Sequence, residues 1–405
     1  MAQAVRHDAM RARNLALVLR EVRSHGSLTR ASLAEVTGLT KTTVSKLVAD
    51  LLDAGLVVET GAIRAGERGR PGVEVRVSGD RVAAIGLEIN VDYLSVRVVD
   101  LTRRVRLRLT QAVDNRLSKP MDVIGDLRRL ALSALAQAEG TGLLVVGAGL
   151  AVPGPVDVES GEIHNAPNLG WRNVPVGTAL DLGVPLRVEN EANLAALGEL
   201  WFGAGRADFL YVSGEIGIGA GLVVNGALFR GSRGFAGELG HVVVTPEGPE
   251  CRCGARGCLE QYAGQDAFLD AVSDRSPFAH GIDAIVAHLE HGDPTTKAAC
   301  EKAGWALGVA LSSAINLVDP HTIVLGGIYA PLFPWIGGVV AETIGGRLAQ
   351  MRATAPPVEV SRLGSEAAAL GAAGQVLETV VTDPAALSER LTDRRDPRRP
   401  DDSPA

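Results

Sequence analysis

Three of the four cysteines, Cys251, Cys253 and Cys258, lie within eight residues, shortly after His241, which closes the string Gly237 to His241, GELGH. Three thiolates and one imidazole are the ligand set of a closed tetrahedral zinc site. Cys251 and Cys253 are too close in sequence to form a comfortable disulfide, and no signal peptide points to an oxidising compartment. The glycines of CRCGARGCLE mark a ligand loop, whereas Cys300 stands alone and reads as an ordinary core cysteine. Zinc held by His241, Cys251, Cys253 and Cys258 is therefore expected. Its role would be structural, since four protein ligands leave no position for water, and it would pin the loop that carries Glu238, His241 and Glu260.

The elements around this cluster come from a chain of 405 residues, 46% hydrophobic, long enough for two or three domains with their own cores. No apolar run reaches membrane-spanning length, and the start MAQAVRHDAM lacks an apolar signal region, so a cytoplasmic protein is expected. The net charge of −7 is unevenly spread. Residues 1–80 hold 12 Lys+Arg against 9 Asp+Glu, and the remainder holds 28 against 38. A weakly basic head on an acidic body fits a small nucleic-acid reader joined to a larger domain.

Within the head, Leu15, Val18, Leu19 and Val22 recur at helical spacing. Thr29 is placed to cap a short helix burying Leu33 and Val36, Gly38 to break it, and Thr40 to cap the next. That next helix puts Val44, Leu47, Val48, Leu51 and Leu52 on one face, and Lys41, Thr42, Thr43, Ser45 and Lys46 on the other. Two helices about a glycine turn, the second polar outward, predict a helix-turn-helix reading double-stranded DNA. Two strands, Leu56 to Glu59 and Val73 to Val77, should follow, joined by a loop with Arg64, Arg68 and Arg70. That loop would be a basic wing, with Arg70 suited to a narrow minor groove.

From Val82 the pattern is α/β. Apolar strands are expected in AAIGLEI, LSVRVVDL, LLVVGAGLAVP, FLYVSGEIGIGAGLVV and TIVLGGI, with helices at Val123 to Ala138 and Asn193 to Phe202. Two glycine-rich strand turns far apart in sequence predict two α/β lobes facing a cleft. The string from Asp383 is charged and proline-rich, and a disordered tail is expected over 383–405.

The order of APNLGW, VENEANLAALGE, GIGAG, GFAGELGH, CRCGARGCLE and VLGGI resembles the ROK family (repressors, open reading frames and kinases) over residues 10–380. The resemblance implies an actin/hexokinase-like fold over 81–382, with a lobe boundary near 200 and a C-terminal helix returning to the first lobe. The winged helix-turn-helix over 1–80 is similar to that of the family's repressor branch. The resemblance also implies a sugar site built from Asn168, Asn190, Glu191, Glu238, His241 and Glu260. Carboxylates and amides satisfy hydroxyls that both donate and accept, and reject ligands lacking one.

Two features depart from the family's kinases. Their general-base aspartate is replaced by Glu191, whose extra methylene shifts the carboxylate by roughly 1 Å, enough to cost about a hundredfold in rate. Their phosphate loops, Asp-x-Gly-Gly-Thr and Gly-Thr-Gly-Ile-Gly, are here Glu88 to Asp92 and Glu215 to Gly219, without the threonines. Asp92 and Glu215 are expected to repel a triphosphate.

The sequence therefore reads as a sugar-responsive regulator, a repressor acting as a homodimer or higher homo-oligomer, whose lobes close on a monosaccharide such as xylose, glucose or N-acetylglucosamine. The alternatives are an active or bifunctional ATP-dependent sugar kinase and a DNA-binding protein whose body only dimerises it.

Overall fold

The computed structural model of the protein describes residues 7–63, 72–116, 118–270 and 281–387. The head begins with a helix, His7–His25, that buries Leu15, Val18, Leu19 and Val22. Thr29 Oγ1 accepts the Ser32 N–H at 3.1 Å and starts the second helix, Arg30–Thr37. Gly38 ends it at φ 70°, a left-handed turn that a side chain would strain. Thr40 then caps the third helix, Lys41–Asp53, by accepting the Thr43 N–H at 3.2 Å. Its apolar stripe, Val44, Leu47, Val48 and Leu51, is buried. The second helix buries only Leu33. Val36, expected inside, is 46% exposed, because an eight-residue helix presents a single position to the core here. Gly72–Val77 pairs antiparallel with both Val57–Ile63 and Ser27–Thr29. The basic loop with Arg64, Arg68 and Arg70 lies outside the described residues.

The body holds two five-stranded sheets built on one plan. In the first, Val82–Ile89, Tyr93–Asp100 and Val105–Ala112 form an antiparallel meander. Leu144–Val152 and then Leu186–Asn190 add in parallel on the other side of Val82–Ile89. In the second, Phe209–Gly214, Ile218–Val224 and Ala227–Phe229 make the meander, and Ile323–Gly327 and Val358–Val360 add in parallel. Both sheets thus run 3-2-1-4-5. Ligand crevices form beyond the carboxyl ends of such strands, which here places Asn90 and Asn190 opposite Glu215 and Ile216.

Two helices hold the sheets together. Glu191–Phe202 packs on the second sheet and Ala367–Thr382 on the first, and the pair are each other's most extensive helical neighbours. Gly198 and Gly371 permit this approach: a Cβ at either would collide with a backbone oxygen of the partner helix, Ala367 O or Leu194 O. The head is docked rather than tethered. Its Val18, Leu19 and Val22 share one core with Val82, Val99, Leu377 and Val380. Glu378 also accepts from Arg23 at 3.0 Å and from Arg103 at 3.1 Å. Residues 383–387, expected to open a disordered tail, are packed instead. Asp383 accepts the Ala386 N–H, and Leu387 is 6% exposed in the same core, since an apolar side chain beside Val380 is better buried than solvated. No described helix is long and apolar enough to cross a membrane.

Candidate ligand cleft and metal centre

A cleft of about 330 Å³ opens between the sheets, and Asn168, Asn190, Glu191, Glu238, His241 and Glu260 all line it. Gly237 turns the chain into Glu238 at φ 100°, so tightly that a Cβ would strike Ala220 O. Glu260 opens a helical turn, Glu260–Ala263, and its Oε2 accepts the Ile218 N–H at 3.3 Å. Gly217 leaves room for that carboxylate, because a Cβ there would overlap it. Asn168 Oδ1 accepts from Arg252 Nη1 at 3.1 Å. Asn190 caps the Glu191–Phe202 helix, its Oδ1 accepting the Asn193 N–H at 3.2 Å while its Nδ2 donates to Gly154 O at 3.0 Å. Its amide is thus engaged mainly in setting the direction of Glu191.

Glu191 and Glu215 line the cleft and Glu88 lies buried near enough to act on both, so three carboxyl groups share one poorly solvated region. Burial pushes Glu88 up to about 7, against hydrogen bonds donated by Tyr93 Oη at 2.8 Å and Ser95 Oγ at 3.2 Å. Burial, then Glu88 and Asp92, raise Glu215 to about 8. Burial, then Glu215 and Glu88, hold Glu191 well above the ordinary carboxyl range. Burial and mutual repulsion thus disfavour full ionisation of the three. Glu238 is also raised, by burial first and by Glu260, against the pull of His241.

Asp92, expected to repel a triphosphate, is 2.8 Å from Arg116, which also pairs with Asp114 at 3.1 Å, and the Asp92 charge still helps to raise Glu215. The loops also differ from phosphate cradles. The Asp92 N–H donates to Asn90 Oδ1, the Glu215 N–H to Gly217 O, and the Ile328 N–H to Gly214 O. These three backbone donors are turned inward.

His241, Cys251, Cys253 and Cys258 come together with their ligand atoms all within 4.8 Å of one another. Cys251 Sγ lies 3.8 Å from His241 Nδ1, and Cys253 Sγ lies 3.7 Å from Cys258 Sγ. Tetrahedral zinc with bonds of about 2.3 Å separates two sulfurs by roughly 3.8 Å, so the donor set fits that ion. His241 turns Nδ1 to the cysteines and Nε2 toward Glu238, 3.9 Å away. One imidazole can thus serve the cluster and the cleft with different nitrogens.

On the head, Lys41, Thr42, Ser45 and Lys46 are exposed along the third helix. Thr43 is half-buried, its hydroxyl 2.8 Å from that of Thr40. Several cleft residues were missed from sequence, among them Asn165, Ser213, Asn193 and Arg252. Asn193 follows the Asn190-Glu191 pair by one helical turn, a spacing that places it on the same end of the helix. Arg252 sits between two ligand cysteines, but nothing in the sequence shows that it reaches Asn168.

Residues 84–378 match the ROK family, and residues 15–66 match the MarR family. The xylose repressor of Bacillus spizizenii is 32% identical over 371 residues, covering 90% of this chain and 95% of that protein. A crystal structure of a ROK family transcriptional regulator, a homologue of Escherichia coli Mlc, superposes with a TM-score of 0.75 at 25% identity, covering 94% of this chain and 99% of that one. A ROK family glucokinase from Streptomyces griseus, solved with glucose and AMPPNP, superposes with a TM-score of 0.63 at 26% identity. It covers 72% of this chain and 98% of its own.

Proposed function

The chain belongs to the ROK family, and from that membership we propose that it is a sugar-responsive transcriptional regulator of the repressor type, without phosphoryl-transfer activity. The head over 1–80 reads operator DNA through Lys41, Thr42, Thr43, Ser45 and Lys46, with Arg68 and Arg70 on the wing. The two-lobed body over 81–382 binds a monosaccharide through Asn168, Asn190, Glu191, Glu238, His241 and Glu260. Two copies present two heads to paired half-sites.

The observation that carries the regulatory reading is the docking of the head on the Ala367–Thr382 helix, which lies against the helix carrying Glu191. Sugar-driven closure of the cleft would move Glu191–Phe202, hence its partner helix, hence the head through Arg23 and Glu378. Against phosphoryl transfer stands Glu191 itself. Its extra methylene sets the carboxylate roughly 1 Å from where the family's aspartate acts, enough to cost about a hundredfold in rate. The inward-turned backbone donors of both loops add to this.

Zinc would be held by His241, Cys251, Cys253 and Cys258 and would supply a fixed tie between loop segments, with no reactive role. Through that tie the segments carrying Glu238 and Glu260 keep their spacing across the cleft mouth.

The kinase reading draws on the likeness to the glucokinase and is separated by one assay. Operator affinity measured with and without D-xylose, D-glucose and N-acetyl-D-glucosamine, beside ADP release from ATP, tests the proposal. A sugar that changes operator affinity with no ADP release supports it; turnover near the roughly 1–100 s⁻¹ of kinases overturns it.

A further inference from the structure

Asn193 lines the cleft although it is 2% exposed. Its Nδ2 donates to Glu189 Oε1 at 3.1 Å. Glu189, also buried, accepts the Asn190 N–H at 3.1 Å and Arg230 Nε at 2.7 Å. An ion-paired carboxylate offers only acceptors, so the amide nitrogen of Asn193 must face it. Exchanging the amide atoms would set oxygen against oxygen. The Asn193 oxygen is thereby held as an acceptor. Among the described residues it is the one buried side-chain polar atom without a hydrogen-bond partner in the protein.

Such an acceptor is costly unless something donates to it. Helix stability does not account for an asparagine here, since alanine is the better helix former. Arg230 lies on the second-lobe segment that leads to Glu238, while Glu189 and Asn193 belong to the strand end and helix that carry Asn190 and Glu191. The ion pair thus ties the strand end that leads into Asn190 to the second-lobe segment that leads to Glu238.

We propose that Asn193 Oδ1 accepts a hydrogen bond from one hydroxyl of the bound sugar, and that Glu189 and Arg230 are positioning residues that hold it in that sense. The inference rests on the sugar-binding reading above. It adds a specificity element: a ligand lacking that hydroxyl leaves a buried acceptor unmatched and is rejected.

Calorimetric titration of the full chain with D-xylose, D-glucose, N-acetyl-D-glucosamine and their monodeoxy analogues tests it, in wild type, Asn193→Ala and Asn193→Ser. Ligand-free melting temperature checks the fold, and the serine variant carries the comparison should the alanine variant melt lower. Wild type should bind one monodeoxy analogue about tenfold more weakly than its parent, the size of one hydrogen bond in a desolvated site. Asn193→Ala should bind the parent about tenfold more weakly and no longer distinguish that analogue. Wild-type affinity of the variants for the parent, or an unaltered penalty for every deoxy analogue, overturns the proposal and leaves sugar binding standing. Failure of wild type to bind any parent sugar overturns the functional reading, and this inference with it.

Discussion

Arg252 Nη1 lies 3.1 Å from Asn168 Oδ1, so a side chain set between two ligand cysteines holds an amide on the opposite wall of the cleft. With its oxygen engaged there, Asn168 turns Nδ2 toward Gly217 and Glu260. The cysteine loop and the cleft are therefore one construction rather than two neighbouring sites.

The first prediction follows from that contact. Protein purified without chelator should hold about one zinc per chain, and Cys253→Ser should lose it and bind sugar more weakly. Arg252→Ala should keep the metal while weakening sugar binding a few-fold, within the range of an exposed charge-assisted hydrogen bond. Elemental analysis and calorimetry read the two effects separately. Wild-type protein free of metal would remove the cluster from the account.

Titration of the three clustered carboxyls gives a second prediction. Glu88 and Glu215 have folded-state values of about 7 and about 8, above the ordinary 4.5. Between those limits the unfolded chain releases protons that the native chain retains, so these groups make stability fall as pH rises from about 4.5 to about 8. Denaturant unfolding at pH 5.5 and 8.5 should show the loss, and Glu215→Gln should flatten it. A steeper decline in the variant would contradict the assignment.

Packing of the two central helices supplies a third. Gly371→Ala places a Cβ against Leu194 O and forces the helices apart. A loss of about 1–3 kcal/mol is expected, typical of overpacking. If those helices carry the signal to the head, sugar should also alter operator affinity less in this variant. Thermal melting and gel-shift titration measure the two consequences.

For the head, Lys46→Ala should weaken operator binding evenly across sequences and reduce the salt slope by about 1, as expected of a phosphate contact. Arg70→Ala should weaken it as well. Gel shifts at fixed salt that detect neither change would argue against this mode of reading DNA.

Much of the architecture was legible in the sequence because local chemistry dictates it. Thr29, Gly38 and Thr40 announce the helix ends by capping and by a left-handed turn, and each occurs where expected. That His241, Cys251, Cys253 and Cys258 would gather was legible from residue type and spacing, and the six residues that line the cleft from the family resemblance. What escaped depends on long-range packing. No periodicity shows that Arg116 reaches Asp92, that Arg252 reaches Asn168, or that three carboxyls distant in sequence share one desolvated region. Val36 and Leu387 escaped for a related reason: whether an apolar side chain is buried depends on what docks against it, and sequence spacing reports only the face.

The central claim is that the cleft senses a sugar and reports it to the head without transferring phosphate. Its most direct test is operator affinity of wild type and Glu238→Ala across the monosaccharide panel, with ADP release followed in the same samples. A sugar should shift wild-type operator affinity, Glu238→Ala should bind operator but no longer respond, and ADP release should stay at background, including in Glu191→Asp. Steady ADP release by wild type, or an operator affinity indifferent to every sugar that raises its melting temperature, would contradict the account.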